Sequence, residues 1–177
     1  MKVTIIRHGQ TEYNYLGKLQ GRSNIPLNDT GRRECNKVKH KLKGEHFDVC
    51  FTSSLIRTVE TAMILVGDRV EIKIDNRLIE RDFGSLEGTN FEKYDSVKHW
   101  DYNLNLNDNG IEPVQDIIKR VSSFVDCLRE NYSDKDILIV THGSIVRALH
   151  HILHNTDLNS DLCNFTIGNC YIEKIEI

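Results

Sequence analysis

Residues 137–143 read Ile-Leu-Ile-Val-Thr-His-Gly. The aliphatic residues follow one another without alternation, so both faces of such a strand are expected to be covered, as in a central parallel strand. The closing glycine lets the chain turn sharply at the strand's end. Residues 3–9, Val-Thr-Ile-Ile-Arg-His-Gly, repeat the design. Two histidines, His8 and His142, therefore leave the carboxyl ends of two strands, the edge at which open α/β sheets bind ligands. Arg7, next to His8, brings a guanidinium, which suits anions. Two imidazoles and a guanidinium at one edge point to chemistry on a phosphate or a carboxylate.

The rest of the chain fits one such sheet. Its 177 residues are enough for one sizeable core and too few for two comfortable domains, so a single domain over 1–177 is expected. Apolar residues make up 39% and charged residues 28%, an ordinary globular balance. A net charge of −3 gives no global attraction to nucleic acid or membrane, so any anion site is a local gathering of Arg and His. The cysteines (Cys35, Cys50, Cys127, Cys163 and Cys170) are odd in number, widely spaced and without a C-x-x-C pair. They read as buried or idle thiols of a reducing compartment, not as a disulfide or zinc framework. No apolar leader and no span of membrane length is visible, and a cytosolic location is expected.

Strand and helix signals alternate. Strands are expected at 2–6, 48–52, 70–74 and 136–140, with 164–167 and 170–176 as candidates for edge strands. Asn28 is placed to cap a helix carrying Cys35, Val38 and Leu42 on one face. Ser53 and Ser54 are expected to supply cap oxygens for a helix with Leu55, Val59, Ala62, Met63 and Val66 at helical spacing. Pro113 opens the clearest helix, whose stripe runs Val114, Ile117, Ile118, Val121, Phe124, Val125, Leu128. A last helix buries Ile145, Ala148, Leu149, Ile152 and Leu153. Residues 88–111, polar and aromatic, form an irregular, lid-like excursion. The predicted fold is a three-layer α/β/α arrangement around a mostly parallel sheet.

Other polar residues join the two histidines. Arg57 falls in the first turn of a helix, where a cation opposes the helix dipole and a bound anion would remove the objection. Thr11 and Asn14 follow His8 closely enough to donate hydrogen bonds to the same oxygens. A carboxylate is offered by Glu80, Asp82 or Glu87. Glu80 has apolar Ile79 and Phe83 nearby, which favour a raised pKa through desolvation, but composition alone does not separate the three. His40, His46, His99, His150, His151 and His154 lack the strand-end position and read as ordinary surface or core residues.

Arg7-His8-Gly9-Gln10-Thr11-Glu12-Tyr13-Asn14 resembles the signature of the histidine phosphatase superfamily, the phosphoglycerate-mutase-like proteins. Gln20-Gly21-Arg22 with Pro26-Leu27, Thr52-Ser53-Ser54-Leu55-Ile56-Arg57-Thr58 with Thr61-Ala62, Glu80 with Phe83-Gly84 and Glu87-Gly88, and Thr141-His142-Gly143 resemble its further motifs, in the family's order. The resemblance implies a phosphoglycerate-mutase-like fold. It implies His8 as the nucleophile of a phosphohistidine intermediate, with Arg7, Arg57 and His142 on the phosphoryl oxygens. It further implies Glu80 as proton donor and later base for water, and Asn14 and Thr11 assisting at the phosphate. Guanidinium forks match phosphoryl oxygens and stabilise their charge without a metal, so no metal and no cofactor is expected.

The family contains phosphatases and mutases. The short stretch between Glu80 and His142, with 88–111 as its only candidate lid, resembles the smaller phosphatase branch, which includes α-ribazole phosphatases and broad-specificity phosphomonoesterases. One departure is Gly110-Ile111-Glu112-Pro113, where that branch often carries Gly-Gly-Glu-Ser. Phe91, Tyr94, His99, Trp100 and Tyr102 are candidates for stacking on an organic leaving group, or for simply packing the lid. Gln20, Gly21, Arg22 and Arg81 are candidates for substrate contacts, the two arginines for a second anionic group. The leading expectation is a metal-independent phosphomonoesterase acting on a small phosphorylated metabolite. A phosphoglycerate mutase and a non-catalytic phosphate-binding module are the alternatives. Against the module stands the proton donor, for which a binder has no use.

Overall fold

Alternate side chains of the central strands enter two different cores, and this sets the layers. The computed structural model describes residues 1–177. Strands β1 (Lys2–Arg7), β2 (Val49–Thr52), β3 (Glu71–Ile74), β4 (Asp136–Thr141) and β5 (Ile172–Glu176) form one sheet in the order β3-β2-β4-β1-β5. The pairs β1–β4, β2–β4 and β2–β3 are parallel, and β5 runs antiparallel to β1. On β4, Ile137 and Ile139 join a core with Val3, Ile5, Val49 and Phe51, while Leu138 and Val140 join a second core with Ile6 and Cys50. That two-sided burial is why these strands are unbroken aliphatic runs.

The helices are α1 (Glu12–Tyr15), α2 (Asp29–Lys41), α3 (Ile56–Val66), α4 (Ser96–His99), α5 (Val114–Asn131) and α6 (Gly143–Leu153). Val38 of α2 and Ala62, Leu65 and Val66 of α3 cover one face of the sheet. The α5 stripe, including Ile117, Val121 and Phe124, covers the other with Ile145 and Leu149 of α6. The chain therefore leaves β1 toward one face and leaves the neighbouring β4 toward the other. A crevice opens between them at their carboxyl ends, the topological switch point where such sheets bind ligands. At the opposite edge Met1 N donates to Ile177 O at 2.8 Å, and Ile177 N donates to Met1 O at 2.9 Å. No helix is long and apolar enough to cross a membrane.

Three local expectations are corrected. Residues 164–167 form no strand, and the Ile167 carbonyl instead accepts from Arg7 Nη1 at 2.6 Å. Helix α3 begins without a side-chain cap; Leu55 occupies the cap position, and Ser53 Oγ lies 2.7 Å from His142 Nε2. Met63 is exposed, and Leu65 takes its place in the core. Asn28 does cap α2, accepting from Gly31 N at 2.8 Å. Residues 88–111 hold α4 and short turns at Phe91–Lys93 and Asp108–Gly110; Tyr94 and Ile111 close a small core with Leu19 and Phe83.

Helix α2 abuts the turn after β1 through two glycines. A methyl on Gly9 would meet Gly31 O and Cys35 Sγ at 2.7 Å, and one on Gly31 would strike the Gln10 main chain. The turn that carries His8 is thus backed by main chain. Gly31→Ala is expected to destabilise the protein by about 1–3 kcal/mol, the usual range for overpacking, and to lower turnover by displacing that turn. A urea midpoint and a turnover number both equal to wild type would show that the contact is slack.

Candidate active site

The parallel register puts Arg7 opposite Thr141, and His8 N donates to Thr141 O at 2.9 Å. His8 and His142 are consequently neighbours, with ring centroids 5.3 Å apart. Both are buried. His8 Nδ1 lies 2.7 Å from Gly9 O, which only accepts, so this nitrogen carries the proton. Nε2 keeps its lone pair and receives Arg57 Nε–H at 3.3 Å. Burial, then the charges of Arg57 and Arg7, push His8 well below the usual imidazole pKa. Burial and Arg57 do the same to His142. At neutral pH the cleft therefore has an uncharged imidazole with a fixed tautomer, the form a nucleophile needs.

The two guanidiniums are held by neutral groups. Arg57 Nη1 donates to Ser23 O at 2.8 Å and Nη2 to Gly21 O at 2.7 Å; Arg7 Nη1 donates to Ile167 O. Burial lowers Arg57 to about 10, still a cation at neutral pH. Arg7 Nε and His142 Nδ1 are buried and have no hydrogen-bond partner. Arg7 Nε lies beside Gly143, the first residue of α6, where a Cβ would sit only 3.6 Å away. Buried polar groups are nearly always paired, so orphans beside unpaired cations and a helix N-terminus describe a site for an anion.

The structure separates the three carboxylates that composition left open. Glu80 lines the cleft; its Oε1 accepts from Arg81 N at 2.9 Å and Ser144 N at 3.2 Å, while Oε2 accepts no hydrogen bond. A proton on this group therefore belongs on Oε2. Asp82 accepts from Gly84 N and pairs with Arg22. Glu87 brackets a loop, accepting from Arg22 N at 2.7 Å and from Ser23 N at 3.0 Å.

The cleft has a volume of about 610 Å³. Asn14, Gln20 and Gly21 line it, as do Phe91, Tyr94 and Trp100 from the excursion. Other expected contacts fall elsewhere. Thr11 is buried, caps α1 and sets its Oγ1 2.7 Å from Gln20 Oε1; it positions Asn14 and Gln20 and does not line the cleft. Arg22 lies outside the cleft, 3.5 Å from Asp82 and 3.4 Å from Glu112. Arg81 is sealed from solvent; Nε donates to Glu112 O and Nη1 to Tyr94 Oη, so it fastens the excursion to the body. Neither arginine lines the cleft; Arg22 is half exposed beside its two carboxylates, and Arg81 Nη2 is buried with no hydrogen-bond partner. Glu112 is itself gripped by Arg120 at 2.7 Å. His99 is buried against Asp95 O and Asp108, and Tyr102 packs on the main core.

Several site residues escaped the sequence reading. Ser53 orients His142, and its place just after β2, at the same sheet edge, was a readable signal. Asn169 Nδ2 donates to His8 O at 3.2 Å and to Asn14 Oδ1 at 3.1 Å. Lys18 and Arg147 line the cleft. Cys35 is a buried free thiol, as expected, but not an isolated one: its Sγ lies 3.9 Å from Cys170 Sγ, and hydrogen bonding, chiefly from that thiol, lowers its pKa. The one cluster of metal-ligand side chains, His150, His154 and Glu173, is at the far end of α6.

Known proteins resemble this chain along nearly its whole length. The histidine phosphatase superfamily (branch 1) matches residues 3–177. A 2,3-bisphosphoglycerate-dependent phosphoglycerate mutase of Rhizobium etli is 34% identical, over 83% of this chain and 77% of its own length. The uncharacterized phosphatase PhoE of Bacillus subtilis is 32% identical, over 83% of this chain and 74% of its own. A phosphoserine phosphatase from Entamoeba histolytica, solved with 3-phosphoglyceric acid, superposes with a TM-score of 0.79 at 29% identity, covering 98% of this chain and 89% of that one. With that family's model spanning nearly the whole chain and relatives above 30% identity covered over most of their length, the chain belongs to the histidine phosphatase superfamily.

Proposed function

We propose that this protein is a phosphomonoester hydrolase that needs no metal and acts through a phosphohistidine on a small phosphorylated metabolite. The observation that carries the reading is His8, with its proton held on Nδ1 and its lone pair kept on Nε2. In the first step Nε2 attacks phosphorus, the P–N bond forms and the bond to the leaving oxygen breaks. Glu80 passes a proton from Oε2 to that oxygen. In the second step water attacks phosphorus, Glu80 takes up a proton, and P–N cleavage returns neutral His8 and inorganic phosphate. Arg7, Arg57 and the helix N-terminus at Gly143 offset the phosphoryl charge, about two negative charges at neutral pH. A covalent intermediate divides one difficult displacement into two easier ones.

A mutase is the second reading, favoured by the phosphoglycerate mutase relative. It differs in returning the phosphoryl group to a bound product. A screen of phosphate esters, with released phosphate and 3- to 2-phosphoglycerate conversion as paired readouts, decides between them.

His8→Ala is expected to remain folded and to lose essentially all phosphate release; substantial retained turnover would remove the nucleophile. Glu80→Gln is expected to slow hydrolysis of alkyl phosphates by about 10²–10⁴-fold, the usual worth of a positioned proton donor. The loss should be smaller on p-nitrophenyl phosphate, whose leaving group needs little protonation. Equal loss on both substrate classes, or greater damage from Asp82→Asn, would mean a different acid.

Exhaustive dialysis against a chelator is expected to leave turnover unchanged. A loss that magnesium or zinc restores would contradict the metal-free mechanism.

The neutral histidines also set a pH dependence. Unfolded, His8 and His142 titrate near about 6.5; folded, both are held well below that value. Below 6.5 the unfolded chain takes up protons that the folded chain refuses, so stability is full above about 6.5 and falls as pH falls. Tm should drop between about pH 7 and pH 5, and His142→Gln should flatten the drop. A histidine NMR titration should show both rings still neutral near pH 6; midpoints near 6.5 would contradict the burial argument.

A further inference from the structure

The far end of α6 carries a side-chain cluster that the hydrolytic reading does not use. His150 and His154 are four residues apart, so they lie one above the other on the same helix face. Both turn to one carboxylate oxygen on β5: His150 Nδ1 is 2.7 Å and His154 Nε2 is 3.0 Å from Glu173 Oε1. The three ligand atoms all lie within 4.8 Å of one another. We propose that His150, His154 and Glu173 form a zinc-class divalent metal site that staples α6 to β5, separate from the catalytic cleft and independent of the reading given for it.

The donor set suits this ion. Two imidazoles and one carboxylate are a common zinc ligand set, and the fourth place is then left to water. Bonds of about 2.0–2.1 Å at tetrahedral angles put ligand atoms roughly 3.3 Å apart, so from 2.7 and 3.0 Å His150 Nδ1 needs to draw back from Oε1 by about 0.6 Å and His154 Nε2 by about 0.3 Å. His154 can do so, because its side chain is 47% exposed, and the same exposure gives the ion an entry path. Each imidazole must present its lone pair to the ion, which its other ring nitrogen allows by carrying the proton. His150 is 28% exposed and also has room to adjust, and neighbouring rings flank the other two ligands. The Phe165 ring lies 4.4 Å from the His150 ring, and Tyr171 Oη lies 3.5 Å from Glu173 Oε2. The cluster is eight residues along α6 from His142, about 12 Å by helix rise.

The test uses the whole chain, stripped of metal by a chelator and titrated with Zn²⁺ alone in a buffer that does not bind it. One equivalent is expected to bind by calorimetry, and Tm is expected to rise by roughly 5–10 °C at a hundredfold excess over Kd. His154→Ala should weaken binding more than about tenfold and cancel the Tm rise, while hydrolysis of p-nitrophenyl phosphate by the metal-free protein stays at wild-type level. Glu173→Gln should weaken binding as well, with circular dichroism confirming its fold. His8→Ala and Cys170→Ser should still bind one equivalent, which separates this site from the catalytic imidazoles and from the Cys35–Cys170 pair. Co²⁺ in place of Zn²⁺ should give the visible absorption of a tetrahedral site. Absence of binding, or binding that survives His154→Ala and disappears with His8→Ala or Cys170→Ser, would overturn the proposal.

Discussion

The hydrogen-bonded register between β1 and β4 is the constraint on which the site depends. It sets Arg7 opposite Thr141 and ties His8 N to Thr141 O, so the histidines that follow the two strands emerge together. A slip of one residue would send every β1 side chain to the other face. Ile5 would exchange cores with Ile6, although the two cores differ in size and composition. Burial on both faces therefore selects the register, and the register positions the chemistry. The neighbouring β2 extends the same logic: Thr52 pairs with Val140, and the chain beyond it delivers Ser53 to His142 and Arg57 to His8.

Burying a guanidinium without a carboxylate costs several kcal/mol per ion. Carbonyls of Gly21, Ser23 and Ile167 offset part of that cost at Arg57 and Arg7 and leave the net positive charge intact. Those carbonyls belong to loops far apart in sequence, so the arginines knit the rim of the cleft while they polarise it. Main-chain dipoles in fixed places do not reorganise when a substrate arrives, which is the arrangement that stabilises developing charge best.

What the sequence revealed follows from how local each signal is. Aliphatic runs closing on His-Gly expose β1 and β4, and a helical stripe exposes α5, because periodicity is a property of neighbours. The choice among Glu80, Asp82 and Glu87 has no local signature; it depends on Ser144 N and Arg22, which the fold brings in from elsewhere. Arg81 shows its charge in the sequence but not its partners, Tyr94 and the Glu112 carbonyl. Thr11 was legible as a helix cap in Thr11-Glu12-Tyr13-Asn14, and capping uses the hydroxyl that a phosphate contact would have needed. The Cys35–Cys170 contact joins residues from opposite ends of the chain. His150 and His154 share a visible helix face, yet each looks ordinary until β5 sets Glu173 against them.

The antiparallel return of β5 has a practical consequence. It brings Met1 and Ile177 into mutual main-chain hydrogen bonds at the amino end of β1, across the sheet from the histidines. Anything joined to either end, whether an affinity tag or a reporter domain, leaves from the edge opposite the cleft. Substrate access is then unobstructed by the fusion. A few residues would suffice to join the two ends and reopen the chain at an exposed loop, since chains with adjacent termini tolerate such circular permutation.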